Sequence, residues 1–353
     1  MMNWLKAVSR DHENMREKYC NENFISVKIK SEDMDLLFAS DQLRDSNEIV
    51  FMVIKQDGRA LEFASNRLKD DSEIVHLAVS QSAEALEFAS DRLKDNEPLV
   101  ALAVSQNGQT LKFASDRLKD NKEISTLALN RSYLALRFVS DRLKDCEEIV
   151  LLSVKQFFQA LKYASNRLKD SKEFISQILK ESGWALKYAS ERLQDDEETV
   201  SIAINGGGLS VQFASKRLRD CEKILSQSIK GSPSSLQFAS DRLRDSESLV
   251  ILAVERDGLS LQYASGRLRD SQKIVSLAVK QEGWALRHAS YQLRDCEEIV
   301  LLAVKDNRCA WQFISVRLKR KRNIKYAIDY SGMPASFTNK YQSDFRLSNN
   351  YLL

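Results

Sequence analysis

Leu61–Asp70 reads LEFASNRLKD, and the same ten-residue pattern returns every 25 residues without an insertion or deletion. Its serine falls at Ser40, Ser65, Ser90, Ser115, Ser140, Ser165, Ser190, Ser215, Ser240, Ser265, Ser290 and Ser315. Leucine follows three residues after every one of these serines, from Leu43 to Leu318. Two residues before the serine stands an aromatic ring, except at His288. Arginine follows two after it, except at Gln42 and Gln292, and aspartate five after it until Arg320 ends the series. A fixed period between about 20 and 50 residues marks a stack of small units, each burying its apolar face against the next. The expected fold is all-α, an α-solenoid of about twelve 25-residue two-helix repeats.

Two short helices are expected in each copy. In Asp145–Gln156, Ile149, Val150, Leu152, Ser153 and Val154 form an apolar stripe at helical spacing, while Glu147, Glu148 and Lys155 face outward. Asp145 is placed to cap that helix, with Glu148 completing a capping box, and the same Asp-x-x-Glu stands at Asp70/Glu73 and Asp120/Glu123. Clusters such as Gln56-Asp57-Gly58 and Gln106-Asn107-Gly108 stop the helix, the glycine supplying a left-handed cap. The second helix is expected over Ala60–Lys69, where Leu61, Ala64, Ser65 and Leu68 share a face and Ser65 bonds back to the carbonyl four residues earlier. Leu61, Phe63, Leu68, Ile74, Val75, Leu77 and Val79 then fill the space between layers.

Three segments follow from the phase of the repeat. Residues 1–33 fit it poorly and are expected to form an N-terminal helical cap. The tandem repeats occupy 34–320, and 321–353 are expected to hold a capping helix over Asn323–Tyr330 followed by a flexible tail. The recurring A-L-x-[FY]-A-S-x-R-L-[KR]-D, followed by E-I-V-x-L-A-V, resembles the family known as domain of unknown function 4116. The resemblance covers about residues 34–320 and implies short tandem helical repeats similar in style to interaction solenoids. The family occurs in intracellular bacteria and protists among others, which suggests a secreted effector of an intracellular microbe. It defines no functional residues and has no established activity, so none carries over.

Charge and cysteines narrow the compartment and the partners. Lysine plus arginine number 53 against 50 aspartate plus glutamate, a net charge of +3. Five of the basic residues cluster at Arg317, Lys319, Arg320, Lys321 and Arg322, so the repeats carry no general basic field and a nucleic-acid partner is not expected. The cluster itself reads as a solvated end of the array rather than a nuclear signal. Five cysteines, Cys20, Cys146, Cys221, Cys296 and Cys309, include no CxxC pair and fit reduced thiols in a cytoplasmic setting. The N-terminal stretch lacks a signal-peptide apolar core, no run of about 18 apolar residues occurs, and no membrane insertion is expected.

Catalysis finds little support. The three histidines, His12, His76 and His288, share no recurring partner, and His288 reads as a partly buried core position in place of a ring. Gly206-Gly207-Gly208 reads as a turn between helices, and twelve identical serines argue for packing rather than for a nucleophile. No cofactor, metal or small-molecule substrate is indicated. The arginine series reads first as packing, its stem over the ring and its head on a carboxylate, and second as a rail for phosphates or an acidic partner. Binding is better sought where copies differ. Leu134, Trp184, Leu209, Leu259 and Trp284 occupy one such position. If exposed they form an interrupted apolar rail for a protein or peptide; the alternative is that they pack on the next copy. The functional expectation is a noncatalytic protein-interaction scaffold, with anionic-surface or nucleic-acid binding through the arginine edge as the rival.

Overall fold

A computed structural model describes residues 36–329, and the N-terminal cap and C-terminal tail expected from the sequence lie outside them. The described residues are all-helical with no strand, and the tandem repeats form a solenoid. Two compact units divide the chain, Met1–Lys169 and Asp170–Leu353.

Each repeat holds three helical pieces rather than two. The ten-residue helix Ser72–Gln81 forms as the apolar stripe requires, burying Ile74, Val75, Ala78 and Val79 on one side. What was expected to be the second helix is broken in the middle. Gly58–Phe63 is a 3-10 helix, Ala64 and Ser65 are extended, and Asn66–Lys69 is a single α-turn. Ser65 is therefore an N-cap and not a mid-helix residue: its Oγ accepts from the Leu68 amide at 3.3 Å. A serine with an extended backbone offers its hydroxyl to the free amides of the next turn better than it continues a helix.

The cap of the long helix also lies one residue later than expected. Asp71 accepts from the amides of Glu73 and Ile74 at 2.9 and 3.1 Å. Asn96, Asn121 and Ser171 cap the equivalent helices in the same way. Asp70 is left free for another task, described below. Pro98 sits in the first turn of its helix, where no amide hydrogen is missed.

Within each unit, 3-10 helices pack on 3-10 helices and long helices on long helices, as in Gly58–Phe63 against Ala83–Phe88 and Asn47–Gln56 against Ser72–Gln81. Leu61, Leu68, Val75, Val79 and Leu86 are fully buried in this seam. Phe63 is only half-buried, and Leu77, expected to fill the seam, is half-buried on the outer side of its helix. The glycines serve close approach, not a left-handed cap. A Cβ on Gly58 would sit 2.2 Å from the Ala78 carbonyl oxygen of the next repeat, and one on Gly108 would sit 2.1 Å from that of Ala128. The end of the preceding helix is closed by extended residues, Asp57 and Asn107, whose side chains accept from the amides of Arg59 and Gln109. Gly206–Gly208 is the turn the sequence suggested, joining Glu197–Asn205 to Gly208–Phe213. The helix Arg322–Asp329 packs on Glu297–Asp306 and buries Ile324.

Candidate functional site

The most chemistry-bearing feature is the edge formed by the short helices. The Ser140 amide donates to the Lys119 carbonyl of the preceding repeat at 3.0 Å, and its hydroxyl donates to the Asp120 carboxylate. Arg142 closes the arrangement, its Nε at 3.0 and 3.1 Å from the two Asp120 carboxylate oxygens and its Nη2 donating to the Asp120 carbonyl at 2.7 Å. The arginine head thus pairs with a carboxylate, as the sequence suggested, but with the aspartate of the previous copy instead of its own. In the first unit the pairs are Arg67–Asp45, Arg92–Asp70, Arg117–Asp95, Arg142–Asp120 and Arg167–Asp145. In the second they are Arg192–Asp170, Arg217–Asp195, Arg242–Asp220, Arg267–Asp245 and Arg317–Asp295. The hydrogen bond from the serine hydroxyl, then that from the arginine, holds each of these aspartates below the usual carboxylate range.

This edge is a tie between layers. From Ser65 to Ser315 each serine hydroxyl of the edge donates to the aspartate of the preceding copy and accepts from the leucine amide three residues on. Where that carboxylate is paired with arginine and shifted down, as at Asp120, it is a weak base. The arginine side chains remain half-exposed, 55% at Arg67 and 65% at Arg142, but each is charge-balanced by its aspartate. The cations that lie over the repeat rings are the chain neighbours of those rings, Lys112 over Phe113 at 4.3 Å and Lys162 over Tyr163 at 4.6 Å. Arg320, which replaces the aspartate in the last copy, stands where no further serine–arginine pair follows.

The five residues expected to bind a partner share the second position of their 3-10 helices. In the first unit, Leu134 in Tyr133–Arg137 is half-buried. Beside it Tyr133 meets Phe157, and Phe157 meets Phe158, each pair with ring centroids 5.3 Å apart. In the second unit Trp184 is exposed and lies edge-on to Phe213 of the next repeat at 5.6 Å. Leu209, Leu259 and Trp284 are half-buried, and Trp284 lies edge-on to Phe313 at 5.3 Å. The indoles rest on rings of the following copy while part of their surface stays open to solvent.

Leu259 and Trp284 are brought together. They line a cleft of 480 Å³ with Gln262, Glu282, Arg287, His288 and Asn307. His288 is half-buried there, and desolvation, helped by Arg287 and Arg269, lowers its pKa. The same layer departs from the pattern next to the cleft. Gln292 replaces the arginine, Leu293–Asp295 is a 3-10 turn instead of an α-turn, and Tyr291 is 69% exposed. Sequence reasoning noted His288 and Gln292 separately; their shared copy was the available signal that this layer differs.

Among the described residues no helix is long and apolar enough to cross a membrane. No curated protein and no solved structure matches the chain. The family described as domain of unknown function 4116 matches at residues 21–69, 71–119, 121–169, 171–219, 221–269 and 271–319, each match spanning two 25-residue repeats. The chain belongs to that family.

Proposed function

We propose that this chain is a noncatalytic scaffold whose 3-10 helices bind a protein or peptide, with the cleft between Gly258–Tyr263 and Gly283–His288 as its strongest docking point. The observation that carries this reading is the meeting of Leu259 and Trp284 in one open cleft rimmed by Arg287, Glu282 and Asn307. Apolar anchors surrounded by polar groups are the usual anatomy of a binding hot spot. The rival reading, an arginine rail for nucleic acid, loses ground because the arginines of that edge are spent on aspartates of the same edge. The free thiols Cys146, Cys221, Cys296 and Cys309 fit work in a reducing compartment such as the cytoplasm.

The test is capture from cell lysate on the purified chain at low and at high salt, with and without nuclease, followed by mass spectrometry. Proteins kept in high salt and lost with Leu259→Ala and Trp284→Ala support the reading. Capture that is salt-labile and nuclease-sensitive overturns it in favour of the arginine edge.

A further inference from the structure

The long helices of the first unit carry a second row of side chains that the packing covers only in part. Met52, Leu77, Leu102, Leu127 and Leu152 occupy the same position of five successive helices, between Asn47–Gln56 and Glu147–Gln156. Met52 is 38% and Leu127 is 42% exposed, and Leu77, Leu102 and Leu152 are half-buried. Phe51 adds an exposed ring at one end of the row. One helical turn before four of these residues stand Glu48, Glu73, Glu123 and Glu148, all exposed and four residues away, hence on the same face, while Pro98 takes that place before Leu102. Among the described residues, Glu48, Glu73 and Glu123 have no ion pair, while Glu148 meets Lys122 at 2.6 Å.

Acidic residues in a first helical turn also suit the helix dipole, which is the plainer explanation. The second unit argues against that as the whole cause. There the same position keeps Glu173, Glu198 and Glu298 but also holds Ser248, Lys223 and Lys273, the two lysines pairing across layers with Glu197 at 2.5 Å and Glu247 at 2.8 Å. Its leucine position is interrupted by Gln177 and Gln227. The glutamate position thus tolerates lysine and the leucine position glutamine; the first unit keeps an unbroken apolar row with a glutamate beside four of its five members.

We infer that this face of the first unit docks a basic amphipathic helix of another protein, lying along the row across successive layers. The inference rests on the scaffold reading and adds to it a surface and a class of partner. Charge complementarity selects the class: carboxylates bordering one side of the row favour lysine or arginine beside the partner's apolar stripe. Spacing agrees. Packed helices are roughly 8–10 Å apart, and seven residues of α-helix rise about 10 Å, so a heptad-patterned helix presents one apolar layer to each row member. The same carboxylates disfavour an anionic lipid surface as occupant.

The probe is a synthetic helix of about 28 residues with leucine at heptad positions a and d and lysine at e and g, titrated against the full chain by fluorescence anisotropy. A control peptide carries glutamate at e and g. The lysine-flanked probe is expected to bind and the glutamate-flanked one to fail. Leu102→Gln with Leu127→Gln is expected to weaken binding about tenfold or more. Glu48→Gln, Glu73→Gln and Glu123→Gln together are expected to weaken it several-fold at low salt, a loss that fades as salt rises. Unchanged melting of the variants shows that folding is not the cause, and the triple glutamate variant leaves the apolar seam untouched in any case. Equal binding of both peptides, or binding indifferent to both sets of substitutions, overturns the inference. So does self-association of the chain that the leucine variants abolish, which makes a second copy the occupant. Lysate partners lost with Leu259→Ala and Trp284→Ala while the row variants change nothing would leave the scaffold reading standing alone.

Discussion

Replacing Gly108 by alanine places a Cβ 2.1 Å from the Ala128 carbonyl oxygen and 3.0 Å from its carbon, both backbone atoms of the next layer. An ordinary contact there needs more than 3 Å, so the two layers must separate by about 1 Å or the 3-10 helix must tilt. Ala83 and Tyr133 fill the equivalent position of neighbouring layers, so the seam admits a Cβ where it is built around one, but at Gly108 the shift must disturb Leu111 and Leu129, both fully buried there. Overpacking of this kind costs roughly 1–3 kcal/mol. For a unit of this size each kcal/mol corresponds to about 2–4 °C in melting temperature. Thermal and urea unfolding of the full chain, followed by far-UV circular dichroism, should therefore show a loss of several degrees. Gly108→Asn separates the two explanations of this glycine. A left-handed cap accepts asparagine with little loss, whereas a close approach rejects it at least as strongly as alanine. An asparagine variant that melts with the native chain would refute the close-approach reasoning.

Other expectations follow from the same packing and charge. Leu118→Ala removes a fully buried side chain and should cost about 2–5 kcal/mol in urea unfolding. The edge aspartates have folded-state pKa values below their unfolded ones, so they stabilise the array fully above about pH 4, and that contribution is lost as pH falls through the folded values. Ser140→Ala removes the largest cause of the Asp120 shift, so the acid-unfolding midpoint should move to higher pH; an unmoved midpoint contradicts the tie between layers. His288 is lowered, so the native state holds fewer protons than the unfolded one and stability should fall as pH drops below about 6.5. His288→Phe should remove that slope, which melting at pH 7.5 and at pH 5.5 would show.

The repeat and its phase were open to reading because one unit is written out twelve times, so the buried positions Leu61, Leu68, Val75 and Val79 recur in register. The break at Ala64–Ser65 was missed although its signal was present: serine followed by Asn66, Arg67 and a leucine three residues on is an N-cap pattern as much as a mid-helix one. Propensity alone does not separate a continuous three-turn helix from a 3-10 turn, a kink and an α-turn. The partner of Arg67 was misplaced for a different reason. Asp45 and Asp70 are the same position one period apart, and a sequence of identical periods does not say whether a side chain reaches within its layer or back to the one before. The acidic and apolar row on the first unit was hidden for a related cause. Leu77 and Leu152 border the apolar stripe of their helices, and only the neighbouring layers decide which edge of that stripe is covered.

The cleft itself was partly visible. Leu259 and Trp284 were picked out because they vary where the rest of the repeat does not, but their meeting depends on two 3-10 helices lying side by side, which no pattern of 25 residues states. The central claim, that binding uses the 3-10 face and not the arginine edge, is tested most directly by hydrogen exchange of the chain with and without a partner retained from lysate. Slowed exchange confined to Gly258–Tyr263 and Gly283–His288 is the predicted result. Protection centred on the short helices Lys216–Arg219, Asp241–Arg244 and Gly266–Arg269, with those two segments unchanged, would contradict it.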